Sequence, residues 1–202
     1  MVEFLRDRLP ERRARLLATA FCHRIKDLFV EPETLRAVEV IEGCADAGAT
    51  TDDFQRAADA AVPNWDVFEF TTDYDDAQRA AVNAVVHAAG SHDPVYWACV
   101  SCVTAAGIRG THSAVVPALA GLVRDVAGNP FRPVTLDPSW RTSTVVQLAE
   151  GIYADRAFDR LPILADALQD AGCENADILN HCRSAGPHVR GCWVVDLVLG
   201  KE

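Results

Sequence analysis

The residues best suited to chemistry in this 202-residue chain crowd near its C-terminal end, in His181-Cys-Arg-Ser-Ala-Gly-Pro-His-Val-Arg-Gly-Cys-Trp193. Imidazole nitrogen and thiolate sulfur are the donors zinc prefers, and four of them brought together make a tetrahedral site. His188 and Cys192 are four residues apart, so on a helix beginning at Pro187 they share a face. His181 and Cys182 would arrive from the preceding turn. The spacing is not that of a zinc ribbon or finger, and neighbouring side chains such as His181 and Cys182 point in different directions. Two expectations therefore stand side by side. One is a zinc site built from His181, Cys182, His188 and Cys192, either structural or serving a metal-dependent enzyme. The other has no cofactor: a helical corner in which His188 caps or hydrogen-bonds and the cysteines pack.

Other chemistry-bearing patterns read as structure. Cys99-Val-Ser-Cys102 has the spacing of a redox pair, but it falls inside a helix rather than at the helix N-terminus that lowers a thiol pKa. In Cys22-His23 the thiol borders an apolar stripe and the imidazole lies across from it. The chain has no G-x-S-x-G, no H-E-x-x-H, no phosphate-binding loop and no G-x-G-x-x-G, so a cofactor-free hydrolase has nothing in its favour. Gly107-Ile-Arg-Gly110 lacks the strands that a KH domain needs. Asp73-Tyr-Asp-Asp76 lacks the glycine and glutamate of a calcium loop, and reads as a helix start.

Composition narrows the partners. Net charge is −10. Residues 1–30 hold seven basic against four acidic side chains, residues 31–128 five against fifteen, and residues 129–202 seven against ten. An acidic middle without a basic stripe repels phosphate backbones and argues against nucleic acid; it favours a basic protein partner through steering. No apolar run approaches the roughly 20 residues of a membrane span, and Met1–Arg8 does not read as a signal peptide. Seven cysteines, an odd number, fit reduced thiols and a cytoplasmic setting. Arginine and tryptophan are the side chains most often found at interface hot spots. Arg132, Trp140, Arg190 and Trp193 are accordingly the candidate interaction surface.

The elements that must position these residues read as helices throughout. Apolar spacings of three and four predict a helix over Glu11–Phe29, with Arg12, Arg13 and Arg15 largely off its stripe. Pro32, Thr50 or Thr51, Asp73, Asp93-Pro94 and Ser113 open further helices, the last carrying Pro117 in its first turn. The stretch Trp65–Phe70 reads equally as a short strand or an anchored loop. Three prolines make Gly128–Trp140 an ordered loop anchored by Phe131, Val134, Leu136 and Trp140. Helices then follow over Thr142–Asp155, Arg160–Ala171, Asn175–Cys182 and Pro187–Leu199. The expected fold is all-α, an antiparallel bundle or stacked helix pairs in one domain over 1–202, with halves 1–127 and 141–202 joined by loop 128–140.

The block Gly128–Trp140, the run Ala149–Leu168, His181-Cys-Arg, and Gly186–Gly200 together resemble a paralogous family of planctomycete bacterial proteins. The first helix, Arg12–Ile25, is similar as well, although family members often carry two adjacent cysteines where this chain has Cys22-His23. The resemblance implies a bacterial protein; it brings no activity and no catalytic residue. The leading functional expectation is a non-enzymatic interaction or regulatory module, using the Asn129–Trp140 loop and the Cys182–Trp193 corner. The alternative is the metal-binding protein.

Overall fold

The computed structural model describes residues 2–5, 8–61, 74–90 and 93–201; the stretch Trp65–Phe70 lies outside them. The described residues are helical and contain no strand. They cluster into two compact units, Met1–Val123 and Arg124–Glu202. The division falls inside a helix, and loop 128–140 belongs to the second unit.

The first unit holds α1 (Val2–Leu5), α2 (Glu11–His23), α3 (Pro32–Asp46), α4 (Thr51–Ala61), α5 (Asp76–Gly90), α6 (Pro94–Ile108) and most of α7 (His112–Ala127). Buried alanines (Ala77, Ala80, Ala81, Ala84, Ala88 and Ala89) run along α5, while Ala98, Ser101, Cys102, Ala105 and Ala106 line α6. Small residues on both faces let the two helices pack closely, and this is the most extensive helix pair among the described residues. Asp93 caps α6 by accepting from the Tyr96 amide at 3.2 Å, with Pro94 in the first turn. At the start of α4, Thr50 and Asp53 cap each other reciprocally: the Thr50 amide donates to Asp53 Oδ2 at 2.9 Å and the Asp53 amide to Thr50 Oγ1 at 3.4 Å.

Three expectations change here. The helix predicted over Glu11–Phe29 stops at His23 and gives way to a 3-10 turn at Lys26–Leu28, because Ile25 leaves helical geometry at φ −120°. Arg15, placed off the apolar stripe by periodicity, is fully buried. The reason is tertiary: α2 packs on α3, α5 and α6 at once, so little of its surface remains for water. Pro117 also stands deeper in α7 than its first turn.

The second unit is built from the end of α7, loop 128–140 with a 3-10 turn at Pro138–Trp140, α8 (Ser143–Asp155), α9 (Leu161–Asp170), α10 (Ala176–Arg183) and α11 (Trp193–Leu199). Contacts run α8 to α9, α9 to α10, α10 to α11 and α8 to α11. Their shared core includes Val145, Ile152, Leu161, Leu164, Leu168, Ile178, Val194, Val195 and Val198. Val134, Leu136 and Trp140 anchor the proline-rich loop against it. Phe131 does not join them; it is 75% exposed.

The helix expected over Pro187–Leu199 begins only at Trp193. Gly191 has φ +88°, left-handed geometry that an α-helix does not accommodate, and the Cys192 amide closes a turn onto the Val189 carbonyl at 3.0 Å. Residues 184–192 therefore cross from α10 to α11 as a loop.

Candidate metal centre

Four potential ligands meet where this loop passes the ends of α7 and α10. Asp125 comes from the last turn of α7, His181 from the last turn of α10, His188 from the loop, and Cys192 from the residue capping α11. One ligand atom from each lies within 4.8 Å of all the others. His181 Nε2 stands 3.2 Å from Cys192 Sγ and 3.2 Å from Asp125 Oδ1. His188 Nδ1 lies 2.6 Å from the same Asp125 oxygen. The two imidazoles meet edge to face with centroids 4.9 Å apart, and Trp193 covers His181 at 5.1 Å.

The surroundings orient these groups. The Val189 amide donates to Asp125 Oδ2 at 2.9 Å, which leaves Oδ1 as the oxygen facing the cluster. His188 Nε2 lies 3.2 Å from the Ser184 carbonyl. A proton on that nitrogen leaves Nδ1 as a lone-pair donor, the arrangement by which outer contacts fix a metal-binding histidine. The Ser184 hydroxyl in turn donates to the His181 carbonyl at 2.8 Å. In side-chain terms Asp125 is 2% exposed, His188 7% and His181 16%, and Cys192 is fully buried.

Electrostatics follow from this burial. Desolvation alone would raise the Asp125 pKa, but hydrogen bonds from His181, His188 and the Val189 amide outweigh it and hold the carboxyl below its ordinary value. Burial would lower the His188 pKa, yet the bond and charge of Asp125 carry it above the ordinary histidine value. Burial, joined by the Asp125 charge, pushes the Cys192 thiol well above its usual range, with the Val194 and Val195 amides pulling the other way.

At His181 the arrangement is not that of a cysteine triad. In a triad the nucleophile and the acid sit on opposite nitrogens of the histidine. Here Cys192 and Asp125 approach the same atom, His181 Nε2, as ligands around a common centre do. At His188, Asp125 takes Nδ1 and the Ser184 hydroxyl lies 3.4 Å from Nε2, but that hydroxyl donates to the His181 carbonyl at 2.8 Å. A fully buried thiol with a raised pKa is also a poor nucleophile.

Of the residues singled out in the sequence, His181, His188 and Cys192 converge. Cys182 lies outside the group: it faces the apolar core with Cys173, and burial pushes its thiol up to about 12. Asp125 is the candidate ligand that the sequence alone did not single out. Its signal was an acid in the last turn of a helix, where the helix dipole disfavours negative charge, among the buried Leu122, Val123 and Val126.

The four candidate interface residues are all in this unit. Arg132 is exposed and reaches Asp177 at 3.5 Å. Trp140 and Trp193 rest half-buried on the core, and Arg190 lies over the Tyr153 ring at 5.3 Å. Elsewhere Cys99 and Cys102 stand within α6 and Cys22 within α2, and every cysteine is free. His23 Nε2 pairs with Glu42 at 3.1 Å.

No family model matches the chain, and no curated protein or solved structure shows detectable similarity to it.

Proposed function

We propose that the second unit is a metal-binding module in which Asp125, His181, His188 and Cys192 hold one zinc-class divalent ion in a structural role. The observation that carries this reading is the convergence of four ligand atoms of the right types within 4.8 Å. A zinc tetrahedron places nitrogen and oxygen ligands about 3.3 Å apart, and nitrogen and sulfur about 3.5 Å apart. The two 3.2 Å separations at His181 Nε2 already approach those edges. The 2.6 Å approach of Asp125 and His188 is a hydrogen-bond length, and it opens by roughly 0.7 Å when an ion replaces the shared proton.

Four protein ligands fill a tetrahedron and leave no position for water, which favours a structural ion over a catalytic one. The ion supplies charge that stabilises the thiolate of Cys192 and the carboxylate of Asp125 in a dry setting.

Metal content by mass spectrometry, on tag-free protein purified without chelators, tests the reading. Near-stoichiometric zinc is expected in wild type and in Cys182→Ser, falling sharply in Cys192→Ser and Asp125→Asn. Wild-type protein that stays metal-free after incubation with zinc would overturn it.

A separate observation supports an interaction role for loop 129–140. Phe131 projects into solvent beside the exposed Arg132, an apolar and cationic pair suited to a protein contact. Affinity capture with a Phe131→Ser, Arg132→Ala variant as control tests this. Equal recovery of every partner by wild type and variant would count against it.

A further inference from the structure

The four candidate ligands stand on unequal supports. Asp125, His181 and Cys192 belong to helices or a helix cap, and their neighbours Val126, Ile178, Leu179, Val194 and Val195 are buried. His188 stands in the loop, preceded by the exposed residues Arg183, Ser184, Ala185, Gly186 and Pro187. Two of the loop's polar ties run to Asp125, through His188 Nδ1 and the Val189 amide; others return to its own start, through Ser184.

We infer, building on the metal-centre reading, that Asp125, His181 and Cys192 form a fixed three-ligand cradle and that His188 is the exchange ligand through which a zinc-class ion is admitted and released. A filled four-ligand site cannot trade its ion until one ligand leaves. Withdrawing Asp125, His181 or Cys192 disturbs a helix and the apolar side chains beside it. Withdrawing His188 moves an exposed loop. His181 has the more exposed ring, 16% against 7%, but its backbone is fixed in α10, and mobility of the backbone governs departure. Once His188 is out, the ion keeps three protein ligands and one open position, where a small donor ligand can take hold before the ion passes on.

The full set of four ligands determines the class of ion. The Val189 amide occupies Asp125 Oδ2, so the carboxylate offers one oxygen rather than a bidentate pair. Together with two imidazoles and a thiolate, this set suits zinc or cobalt and is a poor match for calcium or magnesium, which require oxygen shells.

Cobalt(II) is the probe, since tetrahedral coordination and a thiolate ligand both give it distinctive visible absorption. Full-length wild type, His188→Ala and His181→Ala are loaded with cobalt, and release to excess EDTA is followed by stopped-flow absorbance. Circular dichroism checks that each variant keeps its helices. His188→Gln, which retains a hydrogen-bonding group toward Asp125, replaces the alanine variant if that one unfolds. The expected result is that His188→Ala still binds cobalt and releases it about tenfold to a hundredfold faster than wild type. Free imidazole should restore slow release, whereas His181→Ala should bind weakly and resist rescue. Release from His188→Ala at the wild-type rate, or imidazole rescue of His181→Ala alone, would overturn the exchange role and leave the metal reading standing. Wild type that binds neither cobalt nor zinc would remove both.

Discussion

Asp125 and His188 meet at 2.6 Å across 63 residues of sequence. The same carboxylate also receives the Val189 amide at 2.9 Å and faces His181 Nε2 at 3.2 Å, while only 2% of its side chain is exposed. A buried charge of this kind is tolerable only with partners, and its loss leaves them unsatisfied. Asp125→Asn keeps the shape but puts an amide where two imidazoles need an acceptor. The expected cost is about 3 kcal/mol in the metal-free protein, read from the urea unfolding midpoint. An unchanged midpoint would mean that the carboxylate carries little of the site's organisation.

Gly128 is required twice over, by its φ of +63° and by Trp193 above it. A Cβ there would sit 3.2 Å from Trp193 Cγ and 3.4 Å from Cδ2. Gly200, with φ +68°, has only the flexible end of Arg141 at 3.8 Å, so it measures the conformational cost alone. Gly200→Ala should cost about 1 kcal/mol. Gly128→Ala should cost more, by up to about 1–3 kcal/mol, because Trp193, whose ring also packs against His181, must shift. Equal losses of thermal stability in the two variants would show that the indole yields freely.

Much of the helical framework was legible because its punctuation is local. Pro32 and Asp93-Pro94 start helices, Gly128 stops one with positive φ, and Asn175 caps α10 by accepting from the amides of Asp177 and Ile178. The site was legible in part, for the same reason that scarce residues attract notice: His181, His188 and Cys192 are rare types close together. Asp125 was not, since acids are common in this chain and nothing within ten residues of it names its partners. The four-residue spacing of His188 and Cys192 imitates a helix, but residues 184–192 form a loop, with Gly191 left-handed and Cys192 at ψ 121°. Arg15 was misplaced because periodicity reads one helix at a time, whereas its burial is decided by three neighbouring helices.

Arg15 is the largest wholly buried polar side chain among the described residues. Its Nη1 donates to the carbonyls of Ala88 and Ala89, both at 2.7 Å, satisfying acceptors that the end of α5 leaves open. Its Nε donates to Glu11 at 2.8 Å, and its guanidinium carbon lies 5.0 Å from the Phe54 ring centroid. Lysine cannot reproduce this fork. Arg15→Lys should destabilise by about 2 kcal/mol and Arg15→Met by about 3 kcal/mol, through unsatisfied buried groups. Glu11 is half-exposed, so a double-mutant cycle should assign that pair less than about 1 kcal/mol. A larger coupling would move the main role from the carbonyls to the ion pair.

His87 gives the first unit a pH dependence of known sign. Its ring lies against Trp97 with centroids 5.6 Å apart, and burial holds its pKa below the ordinary histidine value of 6.5. Protonation is therefore harder in the folded chain than in the unfolded one. The contribution of His87 is fully present above pH 6.5 and is lost as pH falls through the lower folded value. His188 runs the other way, because its folded pKa is raised: its contribution is present at low pH and lost as pH rises through the folded value. The total pH profile mixes these slopes, so the useful quantity is the difference between wild type and His87→Gln. Measured by urea unfolding in chelator, the advantage of wild type should shrink as pH falls from about 7.5 to about 5. A difference that stays constant with pH would mean that the His87 ring is solvated well enough to charge freely in the folded chain.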